Sequence, residues 1–134
     1  MDKEIAADFE SYMKANGCYF LNEAETEALT KYMFPDPNKG VFAPLVGKSA
    51  NWIAEQAGLK VPPKTKILIV PLPEPSEKYP LSKEKLSPVL AYFTCENQEQ
   101  GFAYANKMLE LGGLGHSAVI HTGSMETEIG RAHV

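Results

Sequence analysis

The sequence predicts an α/β fold built on a parallel sheet, and three observations predict it. Helical and extended patterns alternate along the chain. Residues 66–70, KILIV, form a short unbroken apolar run of the kind seen in strands covered on both faces. Residues 88–121 run strand, helix, strand, which implies a parallel pair joined by a right-handed crossover.

Each element has a local reason. Ile5, Phe9, Tyr12 and Met13 recur at helical spacing and form one apolar face that ends before Gly17. A short extended run, Cys18 to Leu21, follows. Asn22 with Glu25 three residues later is the pattern of a capping box, and Ala28, Leu29, Tyr32 and Met33 give the second helix a buried stripe. Pro35 and Pro37 stop it. A third helix is expected from Ser49, with Trp52, Ile53, Gln56 and Ala57 on successive turns and Gly58 as its left-handed terminator. Trp52 is read as helix-face core, not as a platform for a ligand. Residues 71–83, PLPEPSEKYPLSK, hold four prolines and form a connecting loop, since strand signals resume directly after it. PVLAYFT (88–94) is then a strand. Asn97 and Gln100 open a helix as cap and third residue, Phe102, Ala105, Met108 and Leu109 form its apolar face, and SAVIH (117–121) is the next strand.

At 134 residues the chain suits one domain with a core. A formal charge of -4, with scattered Lys and Arg, gives no electrostatic ground for nucleic acid or an anionic membrane as partner. No apolar run nears the roughly 18 residues of a membrane span, and the first residues lack the basic-then-apolar order of a secretion signal, so a cytoplasmic location is expected. Cys18 and Cys95 lie far apart and outside any paired Cys-x-x-Cys, which leaves a metal or redox motif unsupported. Each sits among strand-like apolar residues, as a reduced, buried cysteine does.

GGLGH (112–116) concentrates three glycines and a histidine. A dinucleotide-binding loop needs its glycines between a strand and the helix that follows, where backbone amides face the pyrophosphate. Here they follow a helix and precede an extended run, so the nearby helix end presents carbonyls. Gly112 or Gly113 therefore reads as a terminator, and Gly115 as the residue that lets the backbone turn sharply. Taken alone, His116 is a polar residue at the start of a strand, hydrogen-bonded to backbone. Glu84, within the charged SKEKL, is by itself a solvated loop residue. His121 and His133 have no partner visible in the sequence.

EKLSPVLAYF (84–93), with the helix and GGLGH behind it, resembles the late catalytic-domain region of the CoA-acylating aldehyde dehydrogenases, including the aldehyde half of bifunctional aldehyde-alcohol dehydrogenases. GCYFLNEAETEAL (17–29) is similar to a Gly-Tyr-Phe stretch of that family, and PLVGKSANWIAEQAGLKVPPKTKILIV (44–70) to its Val-Gly, Ala-Gly, Val-Pro and Thr-Lys-Ile-Leu pattern. The likeness covers about residues 5–122.

The resemblance implies a partial aldehyde dehydrogenase fold and an oxidoreductase parent. An aldehyde adds to a cysteine thiolate, a hydride passes to NAD, and the acyl group passes from the cysteine thioester to coenzyme A. It implies Glu84 as the carboxylate on the hydroxyls of the nicotinamide-side ribose, a task that suits a group accepting two hydrogen bonds. Leu86 stands where related enzymes carry a phenylalanine against that ribose and nicotinamide, and His116 matches a histidine of the acylating branch, for which the resemblance implies a catalytic, acid-base role. The family nucleophile lies before the region matched by residue 5, so neither Cys18 nor Cys95 corresponds to it, and the cofactor-binding half is not represented. The chain is thus expected to be a catalytic-domain segment over 1–122, with an unmatched tail, divergent or appended, over 123–134. Such a segment exposes apolar surface, and homo-oligomerisation is expected. The alternative is a non-catalytic binding or oligomerisation module derived from the same fold. No metal site is expected.

Overall fold

Three short strands pair in parallel in the computed structural model, which describes residues 1–113 and 115–124. They are β1 (Cys18–Phe20), β2 (Ile67–Pro71) and β3 (Val89–Tyr92), in the order β1-β2-β3. Tyr19 lies opposite Leu68, and Leu68 opposite Val89. The KILIV run is the central strand, and Leu68, Ile69 and Val70 are all buried. The α/β class is borne out, and its parallel pairs lie between these three strands.

Side chains alternate across a sheet, so this register sorts the residues into two faces. Leu68, Val70 and Val89 face α2 (Glu23–Met33) and α3 (Ala50–Gln56), where Leu29, Met33, Ile53 and Ala54 complete the core with Leu45 and Leu81. Phe20, Ile69 and Tyr92 lie on the other face, which α1 (Ala6–Ala15) covers. The Phe9 ring stacks on Tyr92 at 6.1 Å, and Phe20 meets Tyr92 edge-on at 5.5 Å.

The predicted caps form. Asn22 Oδ1 accepts from the Glu25 amide at 2.9 Å while Glu25 Oε2 accepts from the Asn22 amide at 3.2 Å, the two halves of a capping box. Ser49 accepts from the Trp52 amide, and Asn97 opens α4 (Gln98–Gly112) by accepting from the Gln100 amide at 2.8 Å. Gly113 ends α4 with φ 89°, a conformation that a Cβ would disfavour. The proline-rich segment joins β2 to β3 and contains a 3₁₀ turn at Pro80–Ser82. Both cysteines are free and buried.

Three expectations are corrected. SAVIH (117–121) is not a strand: it pairs with nothing in the sheet, and Val119 is 75% exposed. Its apolar composition favours a strand only where a ladder partner and a covering layer exist, and here the chain after Gly115 crosses the end of α4 instead. The strand-helix-strand unit over 88–121 therefore does not close. In α1, Tyr12 is 72% exposed and Ile5 is exposed, because Ala6, Phe9 and Met13 are the residues turned inward. In α3 the buried residues are Ala50, Ile53 and Ala54, with Gln56 exposed; Trp52 sits half-buried at the core's margin with Lys48 Nζ 5.3 Å from its ring centre. Of the tail, residues 125–134, His133 among them, lie outside the described residues.

Candidate functional site

The 3₁₀ turn at Pro80–Ser82 leads into an extended pair, Lys83 and Glu84, that faces the C-terminal half of α4. Between them lies a cleft of about 410 Å³, closed on its third side by residues 116–119. Glu84 and His116, predicted separately and far apart in sequence, both line it. Met108, Leu109 and Gly112 supply the apolar wall from α4.

His116 Nε2 lies 2.9 Å from the Gly112 carbonyl oxygen. A carbonyl only accepts, so Nε2 carries the proton and Nδ1 of the neutral ring is left as the acceptor. The backbone hydrogen bond expected for His116 is present, although no strand starts there. A Cβ on Gly112 would stand 3.4 Å from His116 Nε2, in ordinary van der Waals contact, so the ring packs directly on the helix end. Glu84 is exposed and forms no ion pair among the described residues. Its carboxylate is therefore open to an incoming pair of hydroxyls.

Leu86 does not line the cleft. It is 58% exposed, and its φ of 46° puts it in the left-handed region. Its carbonyl accepts from the Gly47 amide at 3.3 Å. A branched residue held there costs about 1–2 kcal/mol. Leu86→Gly is expected to be about 1 kcal/mol more stable than Leu86→Ala, since only glycine relieves the strain. Urea midpoints compare the two, and equal midpoints would mean that the turn bears no strain at this position.

Lys85 is a residue that the sequence did not single out. It is 8% exposed, and its Nζ donates to the carbonyls of Leu81 at 2.7 Å and Lys83 at 2.8 Å. Burial pushes its amine down to about 8. Nothing in SKEKL distinguishes Lys85 from Lys83, because the carbonyls that receive it are placed by the turn and not by residue type.

A larger hollow of about 760 Å³ lies where β1 and β2 end, between Leu21, Thr30, Leu72 and Tyr79. Ligands of parallel sheets often sit at strand ends. Here the walls are mostly apolar, and the adjacent start of α2 is occupied by its own capping box. No group of side chains among the described residues is placed to hold a metal ion, and no helix among them is long and apolar enough to cross a membrane.

The sheet and its helices define a piece of the aldehyde dehydrogenase fold. The structure aligns with an acetylating aldehyde dehydrogenase from Geobacillus thermoglucosidasius at a TM-score of 0.90 and 35% identity, covering 96% of this chain and 28% of that one. In sequence the chain is 42% identical over 141 residues to the aldehyde-alcohol dehydrogenase of Streptococcus pneumoniae, covering 98% of this chain and 16% of the relative. It is 35% identical over 117 residues to the sulfoacetaldehyde dehydrogenase (acylating) of Bilophila wadsworthia, covering 85% of this chain and 25% of the relative. No protein-family model matches. The chain is thus a homologue of the aldehyde-alcohol and acylating aldehyde dehydrogenases, as the sequence motifs implied, and it spans about a sixth of the length of the first of these relatives, 16%.

Proposed function

We propose that residues 1–122 form part of the catalytic domain of an NAD-dependent, CoA-acylating aldehyde dehydrogenase. The observation that carries this reading is the meeting of Glu84 and His116 across one cleft. When bound, NAD accepts a hydride and coenzyme A accepts the acyl group. Glu84 would hold the two hydroxyls of the nicotinamide-side ribose, for which its open carboxylate is suited. Leu86, exposed next to the cleft and outside its lining, would meet the same ribose and nicotinamide at the cleft's edge. His116 would take up a proton at Nδ1 while Nε2 keeps the ring anchored to Gly112. Two buried free cysteines fit a reducing, cytoplasmic setting. Exposed Leu90 and Val119 fit burial against further protein, in a homo-oligomer or the remaining domain.

The test is NAD-linked, CoA-dependent oxidation of a small aldehyde by this chain and by a longer product of the same gene. The chain alone is expected to show no turnover, because its two cysteines are buried and neither matches the family nucleophile. The longer product is expected to be active, and Glu84→Gln in it to weaken NAD binding by about 1–3 kcal/mol. Activity in neither would favour the non-catalytic module. Unchanged NAD affinity would remove Glu84 from the cofactor site.

A further inference from the structure

We infer that Lys85 is a positioning residue for Glu84: its buried side chain clamps the carbonyls of Leu81 and Lys83 to one nitrogen and so holds the turn that presents the Glu84 carboxylate to the cleft. The inference deepens the reading of Glu84 as a ribose-binding residue and rests on it for its functional meaning.

The geometry carries it. Both residues border the cleft, but Lys85 is buried with its amine bonded to the turn's own backbone, while the Glu84 carboxylate is exposed. Both hydrogen bonds reach back along the chain, to residues four and two positions earlier, and close residues 81–85 into a ring with Glu84 on its outer corner. The next residue, Leu86, sits in the left-handed region, so the turn holds a backbone state that its surroundings must impose.

The chemistry of the clamp is also specific. Among the described residues Lys85 has no carboxylate partner, and a cation buried on neutral acceptors alone contributes poorly to stability. An apolar side chain would fill the space at lower cost but would leave both carbonyls without their donor. A lysine there secures a defined turn. The titratable groups that share the cleft are Lys83 and Glu84 on the turn and His116 opposite, while Ala105, Met108 and Leu109 bring no charge from α4. Burial lowers the amine to about 8, so the charge assistance of both hydrogen bonds is lost within an accessible pH range.

The experiment follows the backbone amide signals of Lys83 and Glu84 by NMR in the 134-residue chain from neutral to alkaline pH. The wild type is expected to show one shared transition near pH 8. In Lys85→Met the transition is lost and the Glu84 signal is displaced at every pH. In Lys85→Arg the neutral-pH position is retained and the transition is absent, because a guanidinium keeps its charge throughout this range. Wild-type amides that ignore this range, or a Lys85→Met spectrum that superposes on wild type around Glu84, would overturn the inference. Should Lys85→Met fail to fold, the wild-type titration and the arginine variant decide it. An unchanged NAD affinity in Glu84→Gln would sink the ribose assignment while leaving the turn result standing, which separates the two failures.

Discussion

Leu68→Ala is expected to destabilise the chain by about 2–5 kcal/mol, enough to remove much of the roughly 5–15 kcal/mol that holds a domain of this size. Leu68 is fully buried in the central strand, with Tyr19 on one side and Val89 on the other, and belongs to the core that Leu29, Met33 and Ile53 close from above. The helices are anchored at their starts and cannot readily collapse into the space that a lost isobutyl group leaves, so a cavity term adds to the transfer term. Leu90 is the control. It lies one residue along β3 from Val89, on the opposite face, and is 46% exposed. Leu90→Ala is expected to cost under about 1 kcal/mol. Urea unfolding of both variants reads the difference, and similar losses at the two positions would contradict the assignment of faces.

The parts of this fold that were legible in sequence are those decided within one helical turn or one strand. Asn22 with Glu25, and Asn97 with Gln100, specify their caps through contacts three residues apart, and the caps formed as expected. The KILIV run needed no knowledge of its neighbours, because an element buried on both faces is apolar throughout. Features that depend on a distant partner were not legible. SAVIH has the composition of a strand but no ladder partner among the described residues, and pairing is a property of two segments. Tyr12 and Ile5 fit the helical period as well as Phe9 does, yet the position of Tyr92 decided which side of α1 turned inward. For the site, motif resemblance singled out Glu84, Leu86 and His116. Physical chemistry alone gave Glu84 to solvent and His116 to a backbone partner, and both descriptions remain correct locally. Their shared cleft is created by the path of α4, and the burial of Lys85 by carbonyls that no residue type announces.

Stability is expected to climb by up to about 3 kcal/mol between pH 7 and pH 10 in the wild type and to show no such climb in Lys85→Met. Burial lowers the Lys85 amine from its ordinary 10.5 to about 8. Between those values the unfolded chain holds a proton that the folded chain has released, so folding is favoured as pH rises through the window. The contribution is fully present above about 10.5 and is lost as pH falls through about 8, where the amine must be buried with its charge. Each pH unit of displacement is worth about 1.4 kcal/mol, which sets the upper limit quoted. Tyr92 works in the opposite sense at the alkaline end. Burial, reinforced by the nearby Glu10 charge, pushes its hydroxyl up to about 12. Its stabilisation is present below the ordinary value of 10.0 and is lost as pH rises through about 12, so the wild-type profile should turn over beyond the lysine window. Urea titrations at pH 7, 8, 9 and 10 on wild type and Lys85→Met isolate the lysine as the difference between two profiles. Parallel profiles would mean that Lys85 is hydrated in solution, and with it would go the physical basis for a charged clamp beneath Glu84.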